Sequence, residues 1–104
     1  MFIKSILQEE LNNSLQMKED YERELANLPK GSLVKKKIKR HEYYYLVLRE
    51  AGKVKFVYKG VVSEAEILQF QEIKKTRAKY RNLLSQIKKQ IKFLRSSLRG
   101  KQAV

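Results

Sequence analysis

Between Lys30 and Gly60 the sequence KGSLVKKKIKRHEYYYLVLREAGKVKFVYKG sets ten Lys and Arg residues among five Tyr and Phe rings. Ammonium groups neutralise phosphates and release their counterions, and aromatic rings stack on bases or wedge against sugars. The combination is the chemistry of a polyanion grip rather than of bond breaking. The same lysines would also guard the edges of a small sheet, where unpaired strands invite aggregation. Catalytic chemistry has few candidates. His41 is the sole histidine and falls at an expected turn, there is no cysteine, and the carboxylates form no ligand cluster with a histidine. Gly31, Gly52, Gly60 and Gly100 each stand at an element boundary and build no phosphate loop. Alternation along a strand accounts for Tyr43, Tyr44 and Tyr45. The expectation is a protein that is not an enzyme, with no catalytic residue, no metal and no cofactor.

The 104 residues carry a formal charge of +13, unevenly spread. Residues 1–28 hold three bases against six acids; residues 29–60 hold ten against two, and residues 61–104 eleven against three. A field of that size attracts phosphate backbones first, then acidic protein surfaces, then anionic lipid. No apolar run approaches the roughly 20 residues that span a bilayer, and the opening MFIKSILQEE lacks the long apolar stretch of a secretion signal. A soluble cytoplasmic protein without a membrane partner is expected.

The elements that must position these groups are readable from caps and periodicity. SILQ at 5–8 fits a capping box with Ser5 as N-cap, Leu7, Leu11, Leu15, Tyr21, Leu25 and Leu28 fall near one stripe, and Pro29 with Gly31 stops the run, giving a helix over 5–27. SEAE at 63–66 is a second capping box, opening a long helix over 63–99 that Gly100 ends, with a tail at 100–104. Along it Phe70, Ile73, Arg77, Tyr80, Leu84, Ile87, Ile91, Leu94 and Leu98 alternate steps of three and four, a coiled-coil seam that only Arg77 interrupts. The middle, 33–59, reads as a three-stranded antiparallel β-meander with strands at 33–40, 43–50 and 53–59 and tight turns at His41-Glu42 and Ala51-Gly52. The predicted fold is one α+β domain over 1–104, helix–meander–helix, with the long coiled-coil-like helix closing an antiparallel helical hairpin.

Two-residue loops would set Arg40 opposite Tyr43 and Glu50 opposite Lys53. Val34, Lys36, Ile38, Tyr43, Tyr45, Val47, Val54, Phe56 and Tyr58 then share a face, expected to be the core. The opposite face carries Tyr44, Leu46 and Leu48 in its centre, rimmed by Lys35, Lys37, Lys39, Lys53, Lys55 and Lys59. These six lysines with Tyr44 are the expected nucleic-acid contacts. Lys88, Lys92 and Arg95 on the long helix join them, part of a heptad stripe begun by Lys74 and Arg81 and extended by Arg99. Acids of the first helix, Glu9, Glu10, Glu19, Asp20, Glu22 and Glu24, could answer the beginning of that stripe. The long helix, roughly 54 Å against roughly 35 Å for the first, should outrun its partner, leaving Ile91, Leu94 and Leu98 for a homodimer or a partner protein.

The stretch from residue 28 to 60 resembles an uncharacterised family of small prokaryotic proteins with a KGSL…YYYL…GKV…YKG pattern. A looser likeness is to the arm-type and AP2-like domains of integrases and transcription factors, in which a three-stranded sheet enters a DNA groove with a helix behind it. That likeness implies DNA contacts by Lys35, Lys37, Lys39, Tyr44, Lys53 and Lys55. This chain departs from it in its additional first helix and the length of its last. The expected function is a nucleic-acid-binding accessory protein gripping the backbone through the lysine-rimmed sheet and the basic helix. The alternative is a protein–protein interaction module, such as a small inhibitor or regulator of a nucleic-acid enzyme, whose basic helix binds an acidic partner.

Overall fold

In a computed structural model describing residues 2–100, the order is α1 (Phe2–Asn27), β1 (Ser32–Ile38), β2 (His41–Glu50), β3 (Lys53–Gly60) and α2 (Glu64–Gly100). This is the expected α+β helix–meander–helix; Met1 and residues 101–104 of the expected tail lie outside the described residues. The helix ends follow local chemistry with one correction. Ser63 caps α2, its Oγ accepting the Glu66 N–H at 3.2 Å. The Glu66 carboxylate turns instead to Lys59 Nζ at 3.4 Å. Ser5 is not a cap but lies inside α1, because nothing in Phe2-Ile3-Lys4 opposes helix. Gln8 accordingly donates forward to Asn12 Oδ1 at 3.1 Å.

The described residues fall into two compact units: α1 with α2 from Arg77 onward, and the meander with α2 through Thr76. In the helical unit Leu11, Ile87, Ile91 and Leu94 are buried, with Leu7, Leu15, Tyr21, Leu84 and Leu98 packed around them. The Tyr21 and Tyr80 rings lie 6.0 Å apart and Gln90 Nε2 donates to Ser14 Oγ at 2.9 Å, so the two helices run antiparallel. Ser14, 1% exposed, is the buried polar side chain of this interface, and that bond satisfies it.

This pairing overturns the expected role of Ile91, Leu94 and Leu98. Ile91 and Leu94 are only 5% and 6% exposed, and Leu98 packs on the same cluster. The error was to lay α1 beside the first part of α2, whereas that part belongs with the meander and α1 lies along the later turns.

The meander has strand order β1-β2-β3, both pairs antiparallel. Glu50 opposes Lys53 as expected, across a turn in which Ala51 (φ 50) and Gly52 (φ 78) are both left-handed, the type I′ pattern that matches strand twist. The first turn sits at Lys39-Arg40 rather than His41-Glu42: Ile38 opposes His41, Lys36 opposes Tyr43, and Lys39 takes φ 60. The pairing slips by an even number of residues, so the two faces keep their expected members. A shift between Tyr44 and Tyr45 leaves Lys59 bulged from β3.

The face expected to be core is the more open of the two, and the difference lies in the outer strands. Leu33, Tyr44, Leu46, Leu48 and Val57 are half-buried. The chain at Gly31 lies on them so closely that a Cβ there would meet Leu46 Cδ1 at 2.8 Å and Leu48 Cδ2 at 2.9 Å, and φ +103 adds a second reason for glycine. On the face expected to be core, Tyr43, Tyr45 and Val47 of the central strand are half-buried too, but its outer members Val34, Ile38, Val54, Phe56 and Tyr58 are all exposed.

Candidate nucleic-acid interface

The lysine-rimmed face contains part of what was expected of it. Lys35, Lys37, Lys53 and Lys55 share this face and are exposed. Lys35 is paired with Glu42 at 3.5 Å and Lys59 with Glu66 at 3.4 Å, so two of the six ammonium groups already have carboxylates. Lys39 belongs to the turn rather than to a strand. Tyr44 is half-buried beside the Leu46 and Leu48 row, so its ring is a packing group and poorly placed to stack on a ligand.

The other face carries a row of rings. Tyr45 meets Tyr58 edge-on at 5.3 Å, Tyr43 lies 6.2 Å from Tyr58, and His41 lies 6.2 Å from Tyr43. Lys36 Nζ stands over two of the rings, 5.1 Å from the Tyr45 centroid and 5.5 Å from that of Phe56, a cation–π arrangement on an open surface. Register follows from the strand pairing: Tyr45 opposes Tyr58, Val47 opposes Phe56, and Lys36 opposes Tyr43.

In the helical unit, Lys88, Lys92 and Arg95 come together as expected. One turn apart along α2, they line a cleft of about 320 Å³ with Arg99, and α1 contributes Lys18 and Leu15 opposite Ile91. Lys18 also holds Glu22 at 3.2 Å along its own helix. The described ion pairs of the α1 acids run along α1, Lys18 with Glu22 and Arg23 with Asp20, rather than to the expected α2 stripe. Among the described residues nothing acidic lines the cleft itself.

The model of a domain of unknown function, DUF6788, matches residues 7–69, more than half of the chain. The chain belongs to the DUF6788 family. No curated protein and no solved structure matches it. The DUF6788 match agrees with the likeness to an uncharacterised family drawn from residues 28–60, and it takes in most of α1, the whole meander and the start of α2. The α2 residues of the basic cleft lie beyond the DUF6788 match. Among the described residues no group of His, Asp and Glu could hold a metal, and no helix is long and apolar enough to cross a membrane.

Reading the DUF6788 meander from sequence missed Lys36, Phe56 and Tyr58 as surface groups, with the half-buried Tyr43 and Tyr45 beside them, because alternation separates two faces without saying which is covered. Lys36 was the available signal. A lysine in the middle of an apolar row fits a solvent-facing sheet better than a core, where its charge would go unpaired.

Proposed function

We propose that this protein binds nucleic acid through the phosphate backbone, as a cytoplasmic accessory protein rather than an enzyme. The observation that carries the reading is the cleft lined by Lys88, Lys92, Arg95 and Arg99 of α2 and by Lys18 of α1, in which, among the described residues, only Lys18 has a carboxylate beside it, that of Glu22. Like charges brought this close repel one another, and a phosphate lodged among them relieves that repulsion while releasing counterions. Lys92 and Arg95 are exposed, so their charge can be reversed without touching the core. The proposal keeps the nucleic-acid class suggested by the likeness to three-stranded DNA-binding domains but not the groove-insertion geometry, since Tyr44 and its neighbours are partly covered.

The test is fluorescence anisotropy with a labelled duplex at about 100 mM salt, with polyglutamate of matched charge as competitor. The Lys92→Glu, Arg95→Glu double variant should bind on the order of 100-fold more weakly, because it removes two phosphate contacts and adds two repulsions, while its circular dichroism stays that of the parent. Polyglutamate displacing the duplex at equal charge would instead favour an acidic protein as the partner. Unaltered affinity in the double variant would remove the cleft from the binding surface.

A further inference from the structure

We infer that the ring-bearing face of the meander is a stacking surface for unpaired nucleobases, so that the ligand is single-stranded nucleic acid. The inference rests on the nucleic-acid reading above and specifies the form bound. Three observations meet on this face. Phe56 is 58% and Tyr58 59% exposed, an unusual state for large rings in adjacent register on one strand, and no described apolar side chain of the meander is fully buried. Apolar rings left in water form a site waiting for something flat. The rings are also gathered: Tyr58 stands 5.3 Å from Tyr45, edge-on, and 6.2 Å from Tyr43, tilted, so that Tyr58 is braced by its neighbours, and every base, whatever its sequence, has a π-face to lay on an exposed ring.

Charge selects the occupant. Lys36 and Arg49 lie on this face, whereas both carboxylates of the meander, Glu42 and Glu50, lie on the other. A polyanion bearing aromatic groups answers both features of the surface at once. A second copy of the chain would not, because two such faces pressed together would set Lys36 and Arg49 against their own kind with no acid to compensate. A duplex answers only the charge, since its bases are already stacked within it and present phosphates outward. In a single strand the bases are free to turn onto Tyr58 and, as the flexible Lys36 side chain leaves its place over Tyr45 and Phe56 for an adjoining phosphate, onto Phe56. DNA and RNA share this chemistry.

The experiment uses the full chain and four labelled probes of equal length: single-stranded DNA, single-stranded RNA, an abasic strand with the same phosphates, and a DNA duplex. The parent protein should bind at least one base-bearing strand at least roughly 10-fold more tightly than the abasic strand, the scale expected when one or two bases stack on protein rings. The Phe56→Ala, Tyr58→Ala double variant should lose that preference and keep its affinity for the abasic strand and the duplex. Intrinsic tyrosine fluorescence, uncomplicated because the chain has six Tyr and no Trp, should be quenched by the base-bearing strand and not by the abasic one. Equal binding of base-bearing and abasic strands by the parent would overturn the inference and leave the backbone reading standing, and this comparison needs no variant to fold. Failure of all four probes to bind would overturn both. A dimer in sedimentation that the double variant converts to monomer, with no preference for bases, would give the face to a second copy and overturn the inference.

Discussion

Ala51 and Lys39 each hold a backbone conformation that their side chains resist. Both have positive φ, 50 and 60, where a Cβ crowds the neighbouring carbonyl, at about 1 kcal/mol for a residue that is not Gly or Asn. In the second hairpin Ala51 precedes Gly52, and Asn-Gly is the pair that a type I′ turn favours most. Ala51→Asn is therefore expected to stabilise the meander by about 0.5–1 kcal/mol, read as a rise in the midpoint of thermal unfolding. An unchanged or lowered midpoint would mean that the turn does not limit the stability of the sheet. The first hairpin explains a sequence-level error. Around Lys39-Arg40-His41-Glu42 there is no Gly, Asn or Pro to fix a turn, so the sequence marked that a turn exists without marking where.

At the scale of elements, the seam of α2 and the cap at Ser63 were legible because each is local: a period of three and four, and a Ser three residues before a Glu. Their partners were not, because partner choice depends on where α1 lies, and neither helix encodes that by itself. The consequence is measurable at two adjacent residues. Leu94 is 6% exposed against α1, and Phe93 beside it is 67% exposed. Leu94→Ala should cost about 2–5 kcal/mol in urea unfolding followed by helical circular dichroism. Phe93→Ala should stay within about 0.5 kcal/mol of the parent. Similar values for the two would contradict the rotational setting of α2 in the hairpin. The candidate site divides in the same way. Lys88, Lys92 and Arg95 could be grouped from heptad spacing, whereas the contribution of Lys18 required the helix pairing and the ring face required knowing which side of the sheet is covered.

For the molecule as a whole, the +13 charge makes salt the most informative variable. If the five cations of the cleft each neutralise a phosphate of a duplex, the logarithm of the affinity should fall against the logarithm of salt with a slope of about −4.5. The Lys92→Glu, Arg95→Glu variant should flatten that slope by roughly 2. A parent slope near −1 would restrict the contact to a single phosphate and disperse the remaining charge over the surface.

β1 and β3 are the two open edges of the meander, and with the exposed Phe56 and Tyr58 they favour contact between copies, which repulsion between their net positive charges opposes. A bound polyanion would cancel that repulsion. With a formal charge of +13 per chain, neutrality comes at about one protein for every 13 nucleotides. Mixtures near that ratio should turn cloudy and then clear again as either component is added in excess, a re-entrant condensation that light scattering across a titration would record. The charge that draws the ligand in would thus also be the molecule's colloidal stabiliser, spent as binding proceeds.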